Sequence, residues 1–379
     1  MKKHWWLIAV VLIFAMALPV AANQAIKIYV GDQELKTDVP AQVINGRTLV
    51  PLRAIAEYLG NEVNYDANTN TVTIEAGSDL DVVTAISSEW ATAGHANVSR
   101  PLSYAGIRAS CAPCHSGNML QQALTDNPYN PKFESVDGKY TFDTNDVEMP
   151  TPIDCATCHS GIGAEMIATG IMPGEFNVFN NGEDWNVGDA NALCYTCHNG
   201  RRNPDAIYNS WVTEGATRQR SYPHHAVGAL VTGKGGMEYP DATYVNQGFH
   251  KDGCVGCHMP ETDGYVSHKF GGADMSSCTK CHPNKLTEVQ KGLEERLAEL
   301  EGLLMAAVPN AARIGTGNSD FPFVDASGTL IDVNTLPVEV LVGAYNYVIG
   351  KQELDTFGKG AHNTKYLYSL LDESIKRLQ

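Results

Sequence analysis

The chain has 379 residues, too many for one ordinary domain and enough for two or three. Its formal charge of −16 sets it against the phosphates of nucleic acid; an acidic surface of this kind serves solubility and names no partner. Ten cysteines in an exported protein ordinarily mean a disulfide framework, but their placement, described below, excludes one.

The first residues, MKKHWWLIAVVLIFAMALPVAANQA, carry Lys2 and Lys3, an apolar run from Trp5 to Val20, and small residues at Val20-Ala21-Ala22. This is the pattern of a signal peptide over residues 1–22, with a mature chain starting near Asn23. The apolar run is short for a membrane anchor and no later stretch reaches membrane-spanning length, so an exported, extracellular or cell-surface protein without a membrane span is expected.

Residues 26–77 form a compact unit by pattern. IKIYV predicts a short strand; TLVPLRAIAEYLG predicts an extended start and then a helix ending at Gly60; NEVNYDANTNTVTIEA predicts two strands joined by a turn at Asp66–Asn70. This order, and the phrase NGRTLVPLRAIAEYLG, resembles the copper amine oxidase N-terminal-like domain of exported bacterial proteins. The resemblance implies a small α+β module acting as spacer or attachment unit. The segment holds no His, Cys or Met, so no copper site is expected in it.

Residues 86–282 hold every cysteine, always as Cys-x-x-Cys followed by His: Cys111, Cys114 and His115; Cys155, Cys158 and His159; Cys194, Cys197 and His198; Cys254, Cys257 and His258; Cys278, Cys281 and His282. Two thiols one helical turn apart take two thioether bonds from one haem, and the next residue reaches the iron with a neutral imidazole. Zinc sites would not require histidine after every pair, and thioredoxin-like dithiols come singly in a βαβ setting. Five covalently attached haems c are therefore expected. The region is rich in Gly, Pro, Asn and Asp and short of apolar periodicity, so the macrocycles would supply the core that the side chains do not. The expected fold is a mainly α, loop-rich multihaem cytochrome c domain.

Each iron then needs a sixth ligand. Of twelve histidines, setting aside the five above and His4 leaves His95, His224, His225, His250, His268 and His362 as distal candidates. Met119, Met149, Met166, Met172, Met237, Met259 and Met275 are read as packing residues. Bis-histidine ligation lowers potentials relative to His/Met, so low-potential, low-spin haems are expected.

Beyond residue 282, Leu286, Val289, Leu293, Leu297, Leu300 and Leu304 recur at spacings of three and four, predicting an amphipathic helix. The last stretch predicts two more helices around a turn at Gly358–Gly360, so residues 283–379 form a helical region completing the haem domain.

The run HKDGCVGCHMPETDGYVSHKFGGADMSSCTKCH resembles the last two haem sites of pentahaem ammonia-forming nitrite reductases and of hydroxylamine oxidoreductase. That resemblance implies His250 and His268 as distal ligands. EWATAGHA around His95 and YPHHAVGALVTGKGGMEYP around His224 and His225 are similar to segments of other multihaem and surface cytochromes; the tail GAHNTKYLYSLLDESIKRL is similar to one whose histidine ligates haem, pointing to His362. In the same group a long helix after the last haem makes a dimer contact, a role open to the leucine stripe alongside packing within its own chain. The chain departs from the nitrite reductases in having no Cys-x-x-Cys-Lys.

Two functions follow as expectations. The first is electron transport through closely packed bis-His haems to another cytochrome, an electrode or a mineral, with an oligomer or filament allowed by haems near the protein ends. The second is a reductase or oxidase of small nitrogen or sulfur compounds with one open haem, served by Arg201, Arg202, Arg218, Arg220, Tyr195 or Tyr222.

Overall fold

The computed structural model describes residues 26–30, 33–44, 46–75, 78–96, 111–125, 135–136, 139–140, 151–174, 184–188, 190–245, 253–273, 285–356 and 358–379. The expected leader and Met149, His250, Met275, Cys278, Cys281 and His282 lie outside these residues. The chain divides into two compact units, Met1–Ala85 and Ile86–Gln379.

In the first unit three antiparallel hairpins surround one short helix. Strands β1 (Ile28–Val30) and β2 (Gln33–Leu35) pair, as do β3 (Gln42–Ile44) and β4 (Arg47–Leu49), and β5 (Glu62–Asp66) and β6 (Thr71–Glu75). Helix α1 (Leu52–Tyr58) follows Pro51, which cannot donate a ladder bond and ends the strand before it. The β5–β6 turn is held by Asp66 Oδ1, which accepts the Asn68 N–H at 2.8 Å, and closes through Asn70, whose φ of 52° suits an asparagine. Among its described residues, the buried apolar ones are Ala41, Ala56 and Val63.

The second unit has two cores of unequal size. The larger is centred on three helices, α11 (Lys285–Ala307), α12 (Val338–Asp355) and α13 (Thr364–Leu378), with Ile207, Trp211, Leu230, Phe321 and Phe323 packed into it from elsewhere in the unit. Helix α12 is apolar nearly all round and is buried from Val340 to Gly350, which makes it the bundle's centre. Its Gly343 and Gly350 let the neighbours close in: a Cβ at Gly350 would stand 2.9 Å from Leu297 Cδ2, and one at Gly343 3.1 Å from Leu304 Cδ2. The buried Asn346 accepts the Met237 N–H at 2.8 Å and donates to Met237 O at 2.9 Å and Ser374 Oγ at 3.0 Å, so no amide capacity is stranded. Leu293, Leu297, Leu300 and Leu304 are buried in this same core, so the stripe packs within its own chain and is not a free dimer surface.

The smaller core consists of Leu120, Met166, Met172, Ala192, Tyr195 and Val231 and lies among the Cys-x-x-Cys-His helices. Those are α3 (Ala112–His115), α5 (Cys155–His159), α7 (Asn191–Cys197) and α10 (Val255–His258), with α4 (Gly117–Thr125), α6 (Gly161–Thr169), α8 (Pro204–Val212) and α9 (Val227–Val231) between them. Helix α2 (Ser78–Thr92) runs ahead of the first motif. A small N-terminal α+β part is thus followed by a mainly helical, loop-rich remainder. Among the described residues, no helix is long and apolar enough to cross a membrane.

Candidate haem-binding site

One turn of helix places a residue, its i+3 neighbour and its i+4 neighbour on a single face. Each described motif takes that form. The second has a capping box: Asp154 Oδ1 accepts the Thr157 N–H at 2.9 Å while Thr157 Oγ1 accepts the Asp154 N–H at 3.1 Å. The fourth starts under Asn191 of α7, whose Oδ1 accepts the backbone N–H of Cys254 at 2.7 Å and of Val255 at 3.3 Å. Gln121 ties α4 to the end of α5, donating to Thr157 O at 2.7 Å and Ser160 O at 3.0 Å.

The motifs converge. Cys197 of the third shares a side-chain hydrogen bond with Cys114 of the first, and Cys194 shares one with Cys254 of the fourth. The third motif therefore touches two others. All eight described cysteines, Cys111, Cys114, Cys155, Cys158, Cys194, Cys197, Cys254 and Cys257, are outside disulfides.

The histidines are paired across the fold. The ring centroids of His115 and His224 stand 6.2 Å apart, those of His159 and His268 6.0 Å, and those of His258 and His362 6.1 Å. An imidazole nitrogen sits about 2 Å from a bound first-row metal and about 1.1 Å from its own ring centre, so two imidazoles on opposite sides of one metal have centroids about 6.2 Å apart. In each pair one ring comes from a Cys-x-x-Cys-His motif and the other from the distal candidates. The donor set fits haem c: free thiols at helical spacing, and one motif imidazole facing one more at a metal-spanning distance.

Burial favours the neutral form, the one that ligates, at His224, His198, His95 and His258. It pushes His224 down to about 3, helped by the neighbouring His225, and His198 down to about 4, helped by His95 and His225. His95 and His258 are lowered for the same reason. His362 goes the other way: burial is the largest single influence and opposes its charge, but the hydrogen bond to Glu353, the charge of Glu353 and Cys254 together raise it.

Three of the rings are steered through Nδ1. His258 Nδ1 lies 3.1 Å from Phe270 O, His268 Nδ1 2.7 Å from Val266 O, and His362 Nδ1 2.9 Å from Glu353 Oε1. The Phe270 ring lies between His95, at 4.8 Å, and His268, at 5.6 Å. Glu89 on α2 holds the strand end that presents His268, accepting from the His268 N–H at 2.7 Å, Ser267 Oγ at 3.0 Å and Tyr265 Oη at 3.3 Å. One residue after Glu89 the chain is anchored to the second motif's approach, with Trp90 Nε1 donating to Ile153 O at 2.9 Å and Ile153 N–H to His95 O at 3.2 Å.

Of the residues considered for an anion pocket, Arg201 lies near His224 and Cys114, and the other arginines are engaged in loop contacts. Arg202 donates to Ser221 Oγ at 3.0 Å, Arg218 to the Leu336 carbonyl, and Arg220 to Ser319 O at 3.2 Å, each tying one loop to another. Tyr222 Oη accepts from Gln352 at 2.6 Å, and Tyr195 is buried in the smaller core. Of the described methionines read as packing, Met166 and Met172 sit in the smaller core, Met237 in the larger, and Met119 is buried, while Met259 is half-buried and belongs to neither core. Glu89 and Glu353 were not singled out by sequence; each sits in a helix whose pattern reads as an ordinary polar face, and nothing local marks either.

Residues 23–99 match the family model of the copper amine oxidase N-terminal domain. The match runs beyond the 26–77 segment that carries the resemblance in sequence: it takes in Glu89 and His95 at the start of the 86–282 segment and ends before the first Cys-x-x-Cys-His motif at Cys111. No curated protein matches the chain by sequence. Among solved structures, the chain is similar to the outer cell wall cytochrome OcwA, at 18% identity and a TM-score of 0.43, over 88% of this chain and 66% of that one. The chain thus spans 66% of that cytochrome's length.

Proposed function

We propose that this chain is an exported pentahaem c-type cytochrome that carries electrons through closely packed bis-histidine haems, in extracellular electron transfer to another cytochrome, an electrode or a mineral. The observation that carries this reading is the set of ring pairs, each joining a motif histidine to a distal candidate at 6.0–6.2 Å. When bound, haem c supplies a one-electron centre whose potential is set by its axial ligands and surroundings.

The chain's residues divide that work. Cys111 and Cys114 would hold one haem between His115 and His224; Cys155 and Cys158 one between His159 and His268; Cys254 and Cys257 one between His258 and His362. Cys194 and Cys197 would hold one on His198, whose strongest histidine neighbours are His95 and His225. Cys278, Cys281 and His282 would hold the fifth, drawing on His250 or on whichever of His95 and His225 is left. The cross-motif cysteine contacts bring the third site against the first and fourth, as short electron steps need. In the organisation we propose, residues 1–22 are the export leader, 26–77 the attachment module, and 86–282 with 283–379 the haem-bearing part, at the cell surface.

Low-temperature electron paramagnetic resonance of the oxidised, haem-quantified protein tests this. Five haems per chain, all low-spin, are expected. A stoichiometric high-spin component would overturn the conductor reading in favour of an open iron.

A further inference from the structure

The Nδ1 partners of the paired histidines are not alike. His258 and His268 face backbone carbonyls, which are neutral. His198 has a buried Nδ1 with no hydrogen-bond partner among the described residues. His362 faces a carboxylate: Glu353 Oε1 and Oε2 lie 2.9 and 3.0 Å from its Nδ1, and the Glu353 side chain is 0% exposed.

Glu353 is also wrapped by the turn that follows α12. Its Oε1 accepts the backbone N–H of His362 at 3.1 Å and of Gly360 at 3.3 Å. Gly358 leaves the room for this: a Cβ there would stand 2.5 Å from His362 Nδ1 and 2.8 Å from Glu353 Oε1. The glycine turn, the carboxylate and the imidazole form one built unit. The ion-pair partner of Glu353 among the described residues is His362 itself.

A carboxylate accepting an Nδ1–H fixes the tautomer, leaving Nε2 free to ligate, and makes the imidazole a stronger electron donor. A buried negative charge beside a site also favours its more positive, oxidised form, and low dielectric strengthens the effect. We infer that Glu353 is a positioning residue which, through Nδ1 of His362, makes the haem site of His258 and His362 the most reducing of those whose ligands are described. The inference rests on the ligand assignment proposed above.

The test is a spectroelectrochemical titration of the full haem-loaded chain, with haem content, paramagnetic resonance and melting temperature recorded alongside. Glu353→Gln keeps an acceptor for Nδ1–H and for both backbone N–H groups but removes the charge. It should raise the lowest-potential component at least tenfold in its reduction equilibrium, 59 mV for one electron, with five low-spin haems retained. Glu353→Asp keeps the charge and should raise the same component by less. Potentials unchanged in Glu353→Gln, or a shift confined to a different component, would overturn the inference. Should the glutamine variant fail to load haem, the aspartate variant decides alone, since unchanged potentials there overturn it equally. His362→Ala separates the two levels: if it leaves every iron low-spin, the ligand assignment itself fails, whereas if it opens one iron while Glu353→Gln moves nothing, only the present inference does.

Discussion

The carboxylate of Glu89 accepts the backbone N–H of His268 at 2.7 Å, from a helix that precedes it by 179 residues. With Ser267 and Tyr265 also donating to it, and its side chain only 10% exposed, Glu89 is a clamp on the segment that offers His268 to His159. Glu89→Ala would strand a buried N–H and hydroxyl at a cost of about 1–3 kcal/mol. The expected outcome is a lower melting temperature together with a partial high-spin signal from a single haem. A fully low-spin spectrum would mean His268 is held by other contacts.

The same clamp should be acid-sensitive. Burial works to raise the Glu89 carboxyl, but the His268 N–H and the Ser267 hydroxyl outweigh it and hold it below the ordinary value of 4.5. A depressed folded value stabilises the fold above the unfolded value and loses that contribution as pH falls through the folded one. Amide exchange at residues 265–269 should therefore accelerate below about pH 4.5 in the native protein and not in Glu89→Gln.

His224→Ala should open the iron on the first motif. Its ring is the partner of His115 at 6.2 Å, and an alanine offers no ligand. One stoichiometric high-spin haem that binds cyanide is expected, with haem content unchanged. No new cyanide binding would place the sixth ligand of that motif elsewhere.

Gly228→Ala should disturb the third motif without touching a ligand. The glycine N–H donates to His198 O at 2.9 Å, and a Cβ would fall 2.6 Å from that oxygen and 2.8 Å from Tyr195 Cδ1. Overpacking of this kind costs about 1–3 kcal/mol. A lower melting temperature is expected, with changed resonance positions for one low-spin haem and the others unaltered.

Removal of residues 26–77 should leave the haem spectrum and the potentials as they are while reducing retention at the cell surface. Failure of the shortened chain to take up haem would instead make the two parts one folding unit.

Some of this architecture is legible in sequence because it is local. The spacing of Leu293, Leu297, Leu300 and Leu304 reads as one helix face, and those leucines line the larger core. The turn at Gly358–Gly360 reads from composition, as does the Asp66–Asn70 turn. Which histidine faces which is not legible, since His115 and His224 meet through the packing of α3, α7 and the segment paired to Gly200, and no periodicity encodes that. Nor is the burial of Glu353: in VIGKQELD it looks like any charged residue near a helix end, and only the turn folding back over it removes it from water. A buried charge is identified by its partners, and these are set by tertiary structure.

The unequal cores imply an order of maturation. Helices α11, α12 and α13 centre a large side-chain core, joined by Ile207, Trp211, Leu230, Met237 and Tyr239, whereas among the described residues the motif helices lie around a cluster of only six buried apolar side chains. The bundle would then form first around its own apolar side chains, while the cysteine segments, with little side-chain core to hold them, would stay loose enough for thioether formation. His362, on the bundle, would act as a dock waiting for the haem carried by Cys254 and Cys257. Ligand capture, rather than collapse of a hydrophobic interior, would be the event that closes that part of the molecule.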